Sequence, residues 1–142
     1  SRGCIKLGIG KIKMHSGVLN KVMNISVYVP ESYDEVNLPV LYFLHGRSGN
    51  EEILEQLKIN EVVSKLIKEK KIKPIIIVCP NMENSRGINS SNEYKEIQGK
   101  YGIVNLGLYE DYLINEVIPY IDKNYKTIYK TDRFILKIKR NE

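Results

Sequence analysis

The chain has 142 residues, a formal net charge of +5 and 42% hydrophobic residues, enough to close the core of one ordinary domain spanning residues 1–142. The charge gives little support to nucleic-acid binding, because the basic residues do not form a patch interleaved with aromatics; Lys65, Lys68, Lys70, Lys71 and Lys73 instead gather at a predicted helix end, where cations complement the helix dipole. Cys4 and Cys79 are far apart, as are the two histidines His15 and His45, so no disulfide framework or metal set follows, and no apolar run approaches the ~20 residues of a membrane span.

From the first residues, which carry no signal-peptide pattern and do not reveal a compartment, residues 3–14 alternate loosely through Ile5, Leu7, Ile9 and Ile12. Residues 22–29 alternate more clearly, which predicts two antiparallel strands joined around Ser16 and Gly17. A polar turn follows Pro30. Residues 39–44 are then continuously apolar, as expected of a central parallel strand buried on both faces. Between residues 50 and 71, Ile53, Leu54, Leu57, Val62, Val63, Leu66 and Ile67 recur at three- and four-residue steps, predicting an amphipathic helix broken near Asn60. The stretch PIIIVCP, residues 74–80, reads as a second strand buried on both faces, and residues 81–102 as a long polar loop without a period.

Leu106, Tyr109, Leu113, Val117, Ile118 and Ile121 are spaced for a helix, in which Pro119 predicts a kink or break. Residues 132–140 predict a last strand. The element order argues an α/β fold with a mainly parallel sheet, an antiparallel N-terminal strand pair and flanking helices.

In open α/β sheets, ligands gather beyond the carboxyl ends of the strands, here residues 45–50 and 79–84. Gly46 and Gly49 permit a sharp turn that brings backbone N–H groups near an oxyanion, although a plain strand-to-helix turn has the same composition. His45, alone at a strand end, reads by itself as a packed, hydrogen-bonded side chain. Neither a dinucleotide fingerprint nor a phosphate-binding loop motif is present.

Three segments in order, LPVLYFLHGRSGNEE, KIKPIIIVCPN and LYEDYLINEVIPYIDKNYKT, preceded by VYVPESYDE, resemble the Putative esterase family of α/β-hydrolases, which includes esterase D and feruloyl esterases. The resemblance covers the amino-terminal half of that fold. It implies a carboxylic-ester hydrolase without cofactor or metal, acting on a small ester or an acylated carbohydrate. By the same resemblance the Arg47 backbone N–H forms half of the oxyanion hole, His45, Gly46 and Asn81 lie beside the substrate, and the loop after Asn81 walls the pocket. No aromatic pair in that loop clearly recommends a sugar; Tyr94 and Tyr101 are its candidates.

The family's nucleophile lies in a G-x-S-x-G elbow directly after a strand corresponding to residues 133–138, and the triad acid and histidine follow it in chain order. Here TDRFILKIKRNE occupies that place, and no G-x-S-x-G occurs anywhere in the 142 residues. Ser48, in GRSG, has the wrong spacing and follows the wrong strand. A thiol pair of Cys79 with His45 is disfavoured, because Cys79 precedes Pro80 and lacks a third, activating group.

The expectation is therefore an incomplete α/β-hydrolase, truncated before its nucleophile elbow and inactive alone. The alternatives are a non-catalytic module that binds a carbohydrate or acyl ligand, and a nonfunctional product of a disrupted esterase gene. An open sheet edge at the last strand is expected to favour self-association.

Overall fold

The computed structural model describes residues 6–33, 37–128 and 133–137. Cys4, the acidic part of the turn after Pro30, and the end of the last predicted strand beyond Lys137 lie outside the described residues.

A hairpin of two nine-residue strands opens the fold: β1 (Gly8–Ser16) pairs antiparallel with β2 (Lys21–Val29) through the turn expected around Ser16 and Gly17. The turn is tied to a distant helix. The Glu116 carboxylate accepts from the Ser16 hydroxyl at 2.5 Å and from the Gly17 N–H at 2.7 Å, while Ser16 Oγ accepts from Leu19 N–H. A Cβ on Gly17 would come within 3.2 Å of that carboxylate, so glycine permits the close approach.

β3 (Val40–Leu44) and β4 (Ile76–Pro80) pair in parallel, and their continuous apolar runs alternate between two cores. Val40, Tyr42, Leu44, Ile76 and Val78 pack on one face with Tyr109, Tyr112, Leu113, Val117, Ile118 and Ile121. On the other face Phe43, Ile77 and Cys79 meet Leu54, with Ile59, Val63 and Ile67 packed against them. Helices thus cover both faces, as two-sided apolar strands require.

The sheet order is β1-β2-β4-β3-β7, where β7 (Arg133–Lys137) pairs in parallel with β3. Since β2 also runs antiparallel to β4, the sheet has two parallel and two antiparallel pairings. It is mixed rather than mainly parallel. The sequence pattern identified the hairpin but not its docking against β4.

The helix predicted over residues 50–71 divides into α1 (Ile53–Gln56) and α2 (Ile59–Lys68) at Lys58, which takes a left-handed φ of 54°. The break falls two residues before Asn60. Around Pro119, α3 (Tyr109–Asp111) leads into a π-helical stretch (Tyr112–Val117) and then α4 (Ile118–Asn124). Pro119 has no N–H to donate to the preceding turn, and the wider π spacing directly before it absorbs that mismatch without ending the helix.

The long loop is only partly irregular. It holds β5 (Lys95–Gly99), which pairs antiparallel through Lys100 and Tyr101 with β6 (Gly102–Leu106), so Leu106 ends a strand and the helix begins at Tyr109. Among the described residues no helix is long and apolar enough to cross a membrane.

The Glu116 carboxylate, in the π-helical stretch, bonds the hairpin turn, and its bonds are charge-assisted. Glu116→Ala is expected to lower unfolding free energy by about 2 kcal/mol. Urea melts check this, and an unchanged midpoint would show that the turn holds itself.

Candidate active site

β3 and β4 end side by side, and two loops leave their carboxyl ends. In the first, residues 46–49 form a tight turn in which Gly49 N–H donates to the Gly46 carbonyl at 3.0 Å. Arg47 keeps a negative φ and Ser48 takes +61°, the pattern of a type II turn with Arg47 at its first corner. Gly49 is needed for close approach: a Cβ there would lie 3.1 Å from the Gly46 carbonyl oxygen and 3.3 Å from His45 Cβ.

His45 is buried at the strand end, and both its ring nitrogens face backbone groups. Nε2 lies 2.9 Å from the Met82 N–H, and Nδ1 lies 2.8 Å from the Gly46 carbonyl oxygen. An N–H facing Nε2 and a carbonyl facing Nδ1 fit one tautomer, with the proton on Nδ1. The ring therefore clamps the two loops together, and neither nitrogen is directed at Ser48 or Cys79.

Asn81 begins the second loop. Its Nδ2 donates to Glu51 Oε1 at 3.1 Å, and its Oδ1 accepts from Glu83 N–H at 2.8 Å. Two residues the sequence pattern did not single out carry the rest of the loop. Asn84 Oδ1 accepts from Ser48 N–H at 2.9 Å, and Asn84 Nδ2 donates to the Ile103 carbonyl at 3.1 Å. Glu83 accepts from Tyr109 OH at 2.7 Å and from Lys21 Nζ at 2.9 Å, while the Lys21 ammonium also sits 4.3 Å from the Tyr94 ring centre. The polar residues Glu83, Asn84 and Ser85 shortly after a strand end were the available signal, though nothing in them says which partner each side chain takes.

Electrostatics in this region follow burial. Burial pushes the Tyr109 hydroxyl well above the usual phenol range, and the neighbouring Glu83 carboxylate adds to the effect. For Lys21, desolvation works to lower the pKa, but the hydrogen bond and charge of Glu83 prevail and raise it. The hairpin tip reaches the first loop: the Arg47 guanidinium carbon lies 5.3 Å from the Tyr101 ring centre, and Lys100 approaches the same ring. Among the described residues no group of three His, Cys, Asp or Glu side chains could hold a metal ion.

Residues 16–136 match the model of the family described as Putative esterase. The chain belongs to that family. A curated relative, the endo-1,4-beta-xylanase/feruloyl esterase of Xylanibacter ruminicola, is 32% identical over 133 residues, covering 89% of this chain and 17% of that protein. Among solved structures, a ferulic acid esterase superposes with a TM-score of 0.71 at 25% identity, over 91% of this chain and 47% of that one. The ferulic acid esterase of the anaerobic fungus Anaeromyces mucronatus gives 0.73 at 21% identity, over 97% and 52%. The chain thus spans about half the length of these solved structures and has an α/β-hydrolase-type fold.

In this esterase-family chain Cys79 is fully buried, and burial, reinforced by the Glu51 charge, pushes its thiol up to about 12. The thiolate needed for attack is therefore suppressed. The raised pKa also sets a sign. Stability from the buried neutral thiol is complete below the free-thiol value of 9.0 and is lost as pH rises toward about 12. Iodoacetamide at pH 8 is expected to leave Cys79 unmodified in the folded chain and to alkylate it in denaturant, as read by peptide mass spectrometry. Fast alkylation of the native chain would contradict the placement.

Proposed function

We propose that this chain supplies the oxyanion-stabilising half of a serine carboxylic-ester hydrolase site, in which the Arg47 backbone N–H receives the acyl oxygen as it becomes negative. The observation that carries the reading is the locked turn at residues 46–49, at the carboxyl end of β3 in a chain of the esterase family. Gly46 opens the turn beside the acyl group. In this reading His45 and Asn81 serve the substrate by fixing the loops around it, because their polar atoms are engaged with Met82, Gly46, Glu51 and Glu83.

The relatives named as feruloyl or ferulic acid esterases support an ester of an aromatic acid, or an acylated carbohydrate, as the substrate class. Another neighbour, from Staphylococcus aureus, is described as a fluorophosphonate-binding serine hydrolase. The 142 residues contain no G-x-S-x-G, so a nucleophilic serine and its triad partners are not supplied by them. An oxyanion donor without a nucleophile and base gives only residual acceleration, and these residues alone are inactive in this proposal.

Two assays test the reading. The 142-residue chain should neither turn over p-nitrophenyl acetate nor react with a fluorophosphonate; turnover abolished by that reagent would refute the inactive half. Fused to the segment that follows the corresponding strand in the Xylanibacter ruminicola enzyme, the chain should hydrolyse methyl ferulate. In that fusion Arg47→Pro should lower kcat about 10²- to 10³-fold, since proline removes the N–H yet suits the first corner of a type II turn. Arg47→Ala keeps the N–H and should stay close to the parent. Equal losses in the two variants would move the role from the backbone to the guanidinium.

Self-association through β7 is proposed on a separate observation. Among the described residues β7 has a strand partner on one side only, and its adjacent residues Ile135 and Leu136 are 51% and 49% exposed. Consecutive strand residues point to opposite faces, so both faces of this edge present apolar surface. Sedimentation should show concentration-dependent association that Ile135→Lys weakens, and a monomer at every soluble concentration would sink the idea.

A further inference from the structure

We propose that Asn84 is a positioning residue that keeps the central peptide of the residue 46–49 turn from flipping, and that the β5–β6 hairpin acts on the turn through it. The proposal rests on the oxyanion role of that turn. Ser48, at the second corner, has a φ of +61°, a region that glycine takes freely and serine does not. Left to itself the turn would relax from type II to type I, which demands no positive φ and suits serine. That change rotates the Arg47–Ser48 peptide by about 180° while the turn's ends stay in place.

Asn84 opposes this rotation. Its Oδ1 accepts from Ser48 N–H at 2.9 Å, a bond that exists in only one of the two peptide orientations. The asparagine is itself held from three directions. Its Nδ2 donates to the Ile103 carbonyl at 3.1 Å, its backbone N–H donates to Asn105 Oδ1 at 2.9 Å, and its carbonyl accepts from Asn105 N–H at 3.0 Å. Asn105 is buried, and its Nδ2 donates to Tyr94 OH at 3.2 Å. Ile103 and Asn105 are on β6, so the hairpin fixes Asn84, and Asn84 fixes the turn.

The consequence is electrostatic. The Arg47 carbonyl belongs to the peptide that would rotate, and it adjoins the N–H assigned to the oxyanion. Rotation would reverse that peptide's dipole beside the developing negative charge, and preorganised dipoles are what such a site depends on. The hairpin then serves as a part that fixes which way that dipole points.

NMR on the 142-residue chain tests this without turnover. A strong contact between Arg47 Hα and Ser48 HN marks type II, whereas close contact between the two amide protons marks type I. The unsubstituted chain should show the type II pattern and a through-hydrogen-bond coupling from Ser48 nitrogen to Asn84 Cγ; absence of both overturns the proposal with no variant needed. Asn84→Ala should convert the pattern to type I and speed Ser48 amide exchange about tenfold. Adding Ser48→Gly to Asn84→Ala should restore type II, because glycine accepts the positive φ. A general packing role predicts no such rescue, so a turn unmoved by Asn84→Ala, or unrestored by Ser48→Gly, refutes the inference. If these results hold and Arg47→Pro leaves the fusion's kcat intact, the device stands and its catalytic use falls.

Discussion

Everything at the candidate site depends on the parallel pairing of β3 with β4, Val40 against Ile76 through Tyr42 against Val78. Each strand alternates between two cores, so neither can slip by one residue without moving its entire apolar set to the wrong face. That register makes both chains leave the sheet at one end. There, His45 finds the Met82 N–H within hydrogen-bond reach, and the two loops become one surface. A turn that is merely small and polar in isolation becomes a held feature because the strand leading into it is paired over Val40–Tyr42 and its second corner, Ser48, is bonded to Asn84.

The strands and the helices were legible because their signals are local and periodic. Two-sided apolar runs identified β3 and β4, and the three- and four-residue spacing of Ile53 to Ile67 identified the helical segment, whose break at Lys58 fell close to the expected place. The second hairpin was not legible. Its strands, KEIQG and GIVNL, are largely exposed, so they carry no alternation enforced by burial, and the glycines flanking Lys100 and Tyr101 read as loop residues. The direction of β2 against β4 was hidden for a different reason: a strand's own pattern fixes which face is buried, not which neighbour it joins or in which sense.

At the site itself the sequence located the positions and missed the wiring. The family resemblance led to His45, Gly46, Arg47 and Asn81, all of which lie at the carboxyl ends of β3 and β4. It did not lead to Asn84, Asn105 or Glu83. Their defining partners are distant in sequence, 19 positions for Ile103 with Asn84, 36 for Ser48 with Asn84 and 62 for Lys21 with Glu83. Asparagine in a loop is a common residue with four hydrogen-bonding sites, and only the folded arrangement says which of them are used.

The same wiring bears on how far one half of a site can serve catalysis. An oxyanion donor is worth roughly 3 kcal/mol, against the 8 to 23 kcal/mol by which enzymes typically lower a barrier, so even a perfectly held turn supplies the smaller part. In the proposed role its value is conditional: the N–H would stabilise charge only when a nucleophile has created it. What the turn can offer in advance is an orientation already settled, so that no reorganisation is required at the moment of attack. That explains why a strained Ser48 and a clamped Asn84 are intelligible together. The strain at +61° is tolerable because burial of Asn105 and the hairpin ladder are fixed before any substrate arrives, and their stability, not the substrate's binding energy, sustains the turn.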